Sequence, residues 1–185
     1  MEQLRSYLKG DVPRDVAVQI VSYVRVQWPF LLDRKTPIWE STPYPPEGVH
    51  FVLTDGNALV SHALAHVRTV EHAGVSYKTG ALSSVFTYPA YRKLGHGARV
   101  VAAATQHLRS RGADIAMLFT GAPRRGFYER LGWEPIEGAR ILYGEAGATP
   151  QQEEGLTMML FLSEKGRQAR PIFESEAVHV GPYTW

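Results

Sequence analysis

The chain has 185 residues, 44% apolar and 21% charged, with a formal net charge of +2 and no cysteine. That length suffices for one domain with a sizeable core, whereas the near-balanced charge argues against general binding of nucleic acid, and the missing thiols exclude disulfides, zinc–thiolate sites and a cysteine nucleophile. No apolar run approaches a membrane span and the first residues, MEQLRSYLKGD, lack a signal-peptide core, so a soluble, cytoplasmic protein without membrane attachment is expected.

Residues 2–8 read as a first strand, with Leu4 turned inward. Pro13 suits a helix start, and Val16, Ile20, Val24 and Trp28 recur on one stripe of a helix over 14–28 that Pro29 ends. Residues 29–48 hold five prolines and cannot form one regular element, although a short helix over 33–40 fits. The plain reading of this stretch is a packed surface loop. The alternative is an acceptor pocket lined by its aromatics Phe30, Trp39 and Tyr44 and its acids Asp33, Glu40 and Glu47. Residues 49–53, 58–70 and 75–87 then alternate as strands of an antiparallel meander, turned at Asp55-Gly56-Asn57 and over 71–74.

In the second half, Val100, Val101, Ala104, His107 and Leu108 recur at three- and four-residue spacing, which predicts a helix over 95–111 stopped by Gly112. This helix crosses over to residues 114–119, a short apolar run fit for a buried parallel strand. A short helix over 123–131 is closed by Gly132, and a strand over 133–136 follows, which 141–143 extends. After a polar loop over 145–154, residues 156–162 (LTMMLFL) form a last buried strand. Residues 164–185 suggest no element, but Phe173, Val178, Val180, Tyr183 and Trp185 are too apolar to hang free and should pack back on the acceptor side of the domain.

Strand hands over to helix at Arg92-Lys93-Leu94-Gly95-His96-Gly97. A helix's first turn carries free N–H groups and the positive end of its dipole. Gly95 and Gly97 allow close approach and unusual backbone angles, and Arg92 and Lys93 add charge. The turn is therefore either a pyrophosphate cradle or a glycine-containing connection. It is no P-loop, because no GK[ST] follows, and no dinucleotide fingerprint, because the third glycine and the distal acid are missing. His96 reads as a solvent-facing turn residue, with ligand contact as the alternative. His62 and His66 would share an ion only on a helix; on a strand they stand about 13 Å apart, so no metal site is expected.

The succession of an apolar strand closed by Tyr88-Pro89, R-x-x-G-x-G from Arg92 to Gly97, a helix, a short strand and F-Y-x-x-x-G-W from Phe127 to Trp133 resembles the GNAT superfamily of acyl-CoA N-acyltransferases. The resemblance spans about residues 80–135. It implies one α/β (α+β) domain over 1–185, with a mixed central sheet of about six or seven strands, an antiparallel N-terminal meander, flanking helices and a parallel pair of fourth and fifth strands that splay apart. Residues 80–135 would bind acetyl-CoA as acyl donor, with 29–48 and 164–185 on the acceptor side.

Pantetheine would pair with the backbone of Val85, Phe86 and Thr87, whose N–H groups would also face the thioester oxygen. Pyrophosphate would rest on Leu94, Gly95, His96, Gly97 and Ala98, with Arg92 and Lys93 alongside. Tyr128 would return a proton to the leaving thiolate; otherwise it is a helix tyrosine that anchors the core. No acid lies in Ala81-Leu82-Ser83-Ser84-Val85. The general base stays open among Glu40, His62, His66, Glu71, the terminal carboxylate of Trp185 and a water relay through Ser83 or Ser84.

A narrower likeness to the aminoglycoside 2'-N-acetyltransferases rests on Arg124-Arg125 through Trp133, Trp39-Glu40 and the final Trp185. The chain departs from that pattern at Ser83, where an acid is usual, and at Pro182-Tyr183-Thr184 before the final tryptophan. The implied activity is acetyl transfer to the primary amine of a small molecule, with Trp39, Glu40, Ser83, Ser84 and Trp185 binding the acceptor. No metal, nucleic acid or membrane partner is expected, and a homodimer is left open. The competing readings are an acyl-CoA sensor without catalysis and an acetyltransferase acting on a protein, peptide or aminoacyl-tRNA.

Overall fold

The computed structural model describes residues 1–29 and 48–185. Their order is β1 (Glu2–Leu8), α1 (Arg14–Gln27), β2 (Val49–Asp55), β3 (Ala58–His72), β4 (Val75–Thr87), α2 (His96–Ser110) and β5 (Ile115–Thr120). There follow α3 (Arg125–Glu129), β6 (Glu134–Pro135), β7 (Ile141–Tyr143), β8 (Gln151–Gln152), β9 (Leu156–Phe161), α4 (Glu164–Ser175) and β10 (Val178–His179). A seven-stranded mixed sheet runs β1-β2-β3-β4-β5-β9-β6, and a small second sheet runs β10-β7-β8. β1, β2 and β3 are successive antiparallel neighbours. β4 and β5 are parallel through three pairs, Thr79↔Ile115, Gly80↔Ala116 and Ala81↔Met117. This is the mixed α/β architecture expected from the sequence.

The chain divides into two compact units, Met1–His66 with Ser84–Ala104, and Val67–Ser83 with Thr105–Trp185. In the first, the α1 stripe of Val16, Ile20 and Val24 packs with Val52, Leu59 and Phe86, and Tyr7, Tyr23, Trp28 and Tyr88 close over that cluster. Leu4 is 38% exposed rather than turned inward. Strand residues alternate between faces, so once Tyr7 packs on the cluster, the even-numbered Leu4 points away from it.

In the second unit, Val70, Tyr77, Ile115, Met117 and Met159 form a core with Phe173 of α4. Gly80 lies where a Cβ would come within 2.9 Å of Leu108, which lets α2 settle closely on β4. Residues 141–143 do not extend the preceding strand. The chain turns at Gly138, which has φ +78°, and β7 instead pairs with β8 and β10 while β6 pairs with β9. The C-terminal segment contains α4, capped by Ser163, whose Oγ accepts from the Gly166 N–H at 3.0 Å. Ser163 Oγ also donates to Asp114 Oδ1 at 2.7 Å, and the Lys78 N–H donates to Asp114 Oδ2 at 3.0 Å. That carboxylate therefore ties together the entries to β4, β5 and α4.

Candidate active site

In the first unit, β4 loses its extended geometry at Ser84, a non-glycine residue with φ +48°. A chain of two histidines holds this residue. The Ser84 carbonyl can only accept, so His62 donates from Nδ1 at 2.8 Å, and His62 Nε2 then accepts from His50 Nδ1–H at 2.9 Å. Both rings are buried. Burial first, and His50 second, push His62 down to about 3 despite the bond to Ser84, and burial with nearby Lys9 pushes His50 to about 4. At neutral pH His62 is thus an uncharged clamp and a weak base.

The neighbouring carbonyls of β4 are also gripped by side chains. Phe86 O accepts from Ser61 Oγ at 2.8 Å, and Thr87 O accepts from Arg92 Nε at 3.1 Å. Arg92 Nη2 meets the Tyr23 hydroxyl at 2.8 Å, and Tyr23 stacks on Phe86 with ring centroids 4.0 Å apart. Arg92 therefore braces the end of β4, while Lys93 and Leu94 stay exposed.

The turn into α2 carries left-handed residues at Lys93 (φ +66°) and Gly95 (φ +82°). A Cβ at Gly95 would meet nothing within 4 Å, so glycine serves the backbone angle there rather than the space. The free N–H groups of the first α2 turn follow directly. His96 is not the solvent-facing residue expected: it is only 6% exposed. Its ring lies edge-on to Tyr91, and its Nε2 is 3.5 Å from Glu2 Oε1. The first helical turn directs this side chain back towards β1, where Glu2 also pairs with Arg99.

In the second unit, Tyr128 on α3 is 5% exposed. Burial pushes its phenol up to about 12, with Arg124 pulling slightly the other way, so it holds its proton at neutral pH. Its carbonyl accepts from the N–H groups of Leu131 and Trp133 at 2.9 and 3.1 Å, which closes α3 just before Gly132 at φ +83°. Trp185 donates its indole N–H to Met117 O at 2.9 Å and lies 5.0 Å from the Phe119 ring. The guanidinium of Arg68 sits 4.0 Å over the Trp185 ring. Ser83 Oγ on β4 is buried without a hydrogen-bond partner among the described residues.

The sequence model described as an Acetyltransferase (GNAT) domain matches residues 15–136. The chain belongs to the GNAT acetyltransferase family. Solved structures similar in fold include Escherichia coli ElaA (15% identity, TM-score 0.58, covering 86% of this chain and 99% of that one). A GNAT-family acetyltransferase from Staphylococcus aureus Mu50 matches at 16% identity and TM-score 0.57, over 88% of this chain and 100% of that one. A probable N-acyltransferase of unknown function from Enterococcus faecalis V583 matches at 18% identity and TM-score 0.57 over 74% of this chain, which spans 33% of that longer protein. No curated protein matches in sequence. These findings support acyl transfer in general, and none of them carries the narrower aminoglycoside likeness.

The GNAT donor residues expected from the sequence, Val85, Phe86 and Thr87 with Arg92 through Ala98, fall together in the first unit along with Ser84. Ser83, Tyr128 and Trp185 fall in the second. Trp39 and Glu40 lie outside the described residues, as does the short helix expected over 33–40. His62 and His66 are both on strand β3, which removes the helical premise for a shared ion. Among the described residues no group of three or more potential metal ligands occurs, and no helix is long and apolar enough to cross a membrane. Sequence reasoning missed the His50–His62–Ser84 clamp, for which alternate-position histidines on paired strands were the available signal. It also missed Arg68, because an arginine in a strand ordinarily reads as solvent-facing.

Proposed function

We propose that this GNAT protein transfers an acetyl group from acetyl-CoA to the primary amine of a small molecule, by direct attack within a ternary complex. The reading rests on the left-handed Ser84, clamped by His62, inside the region that matches the family. A residue in that conformation interrupts the ladder, and the following Val85, Phe86 and Thr87 are the backbone assigned to pantetheine. Leu94, Gly95, His96, Gly97 and Ala98 cradle the pyrophosphate at the start of α2, with the exposed Lys93 as the cation beside it and Arg92 holding the turn.

The amine nitrogen attacks the thioester carbonyl, the C–S bond breaks, and the departing thiolate takes the phenolic proton of Tyr128. The proton lost by the amine leaves through water, and the Tyr128 phenolate regains a proton from water before the next turnover. Burial pushes the Tyr128 phenol up to about 12, so the group enters the step protonated, with a proton to give as the C–S bond breaks. Ser83, Ser84 and Trp185, together with Trp39 and Glu40, are assigned to the acceptor.

Thiol release from acetyl-CoA, measured with a panel of amines for the wild type and Tyr128→Phe, tests the assignment. A loss of about 10²–10⁴-fold in kcat is expected for the variant. Unchanged turnover would remove Tyr128 from the mechanism, and no amine-dependent release from the wild type would favour an acyl-CoA sensor.

A further inference from the structure

Arg68 of β3 is held in an unusual way for a surface-strand arginine. Its side chain is half-buried, and its Nε is buried without a hydrogen-bond partner among the described residues. Among the described residues no carboxylate pairs with it. Its Nη2 makes a long hydrogen bond to Tyr183 O at 3.4 Å. Aromatic rings occupy its face: Trp185 at 4.0 Å from the guanidinium carbon and Tyr183 at 6.0 Å.

Stacking of this kind engages the face of a guanidinium and leaves its edge to hydrogen bonding, here the N–H groups of Nη1 and Nη2 beyond the one given to Tyr183 O, since Nε is buried. The stacking partner is itself fixed, because the Trp185 indole is anchored to Met117 O. Gly181, at φ +105°, brings the chain so close that a Cβ there would lie 3.6 Å from Nη1. Burial pulls the guanidinium down to about 10, which still leaves it cationic at neutral pH. A half-desolvated cation with unused donors recognises an anion far better than water does.

We infer that Arg68, stacked on Trp185, binds a carboxylate carried by the acceptor, so that the preferred substrate is a primary amine that also bears a carboxylate group. This rests on the acceptor-side assignment of Trp185 made above. It runs against a polycationic acceptor, which needs carboxylates around it and would meet here an arginine that no carboxylate among the described residues pairs with. Ser83, whose buried Oγ has no partner among the described residues, shares its strand face with Tyr77 and offers a second polar group in the same unit.

Two matched acceptor pairs test the inference: 4-(aminomethyl)benzoate with its benzamide, and β-alanine with β-alaninamide. For the wild type, kcat/KM should favour the carboxylate by about 10–100-fold, mainly through KM. Arg68→Gln should abolish that preference by lowering kcat/KM for the acids about 10–100-fold more than for the amides, and Arg68→Lys should restore part of it. Equal use of acid and amide by the wild type in both pairs, or an Arg68→Gln variant that loses both acceptors equally, would overturn the inference. Calorimetric binding of the N-acetylated acids and amides gives a readout that needs no turnover. If no amine is acetylated, the catalytic reading fails while the preference for bound acid over bound amide, and its loss in Arg68→Gln, still decides the role of Arg68.

Discussion

At the scale of single residues, the buried histidine pair makes a prediction that neither ring would make in isolation. Unfolded histidine titrates near 6.5, whereas burial holds His50 near 4 and His62 near 3 in the folded chain. Between those values the unfolded state binds protons that the folded state refuses. Stability is therefore full above about pH 6.5 and falls as pH drops towards 4 and then 3. Each ring contributes a slope of up to about 1.4 kcal/mol per pH unit. His62→Gln removes one of the two titrations and disturbs the grip on Ser84. It should destabilise the protein by about 1–3 kcal/mol at pH 7 and show a shallower decline from pH 6.5 to 4.5 in urea unfolding. Wild-type and variant curves that run parallel over that range would show that the pair is not the acid-sensitive element. The Tyr128 phenol titrates far from this window, so Tyr128→Phe should leave the acid limb unchanged.

Elements depend on close approaches that single residues permit, and Gly166 is the sharpest of these. A Cβ at Gly166 would fall 2.1 Å from the Asp114 carbonyl oxygen, which is backbone and cannot swing aside. Gly166→Ala gains helix propensity in α4 yet must push the helix away from the start of β5. A net destabilisation of about 1–3 kcal/mol is expected from thermal unfolding, opposite in sign to the gain of an ordinary glycine-to-alanine change inside a helix. A stabilised variant would show that α4 can shift without loss. The same glycine explains why α4 was illegible in the sequence. Gly166 and Pro171 both argue against a helix, and the cap that overrides them is visible only once Ser163 is seen to bond Gly166 and Asp114. Strands β2, β3, β4 and β9 and helices α1 and α2 were legible because their apolar period is strong and their turns carry glycine. β7 was misread because a strand of three residues has too little pattern to name its partner. The family was readable through the order of elements around Arg92–Gly97. The clamp on Ser84 and the stacked Arg68 arise from pairings distant in sequence, on which local pattern is silent.

For the whole molecule, β3, β4 and α2 each supply residues to both compact units. Melting one unit alone would cut through two strands of the main sheet and the middle of a helix. One cooperative transition is therefore expected, with van't Hoff and calorimetric enthalpies equal at about 130 kcal/mol for a chain of this length near 60 °C. If acetyl-CoA binds only the folded chain, a concentration one hundred times its Kd adds about 2.7 kcal/mol. At about 2–4 °C per kcal/mol for this size, the single transition should move up by roughly 5–11 °C. The whole transition should shift, because Val85, Phe86 and Thr87 of the donor set lie on β4 and His96, Gly97 and Ala98 on α2, elements that supply residues to both units. Scanning calorimetry with and without acetyl-CoA checks both points. Two resolved transitions, of which only one responds, would separate the units energetically and make the donor cradle a property of the first alone. A single transition unmoved by the ligand would count against the cradle itself, since tight binding to the folded chain cannot leave its stability unchanged.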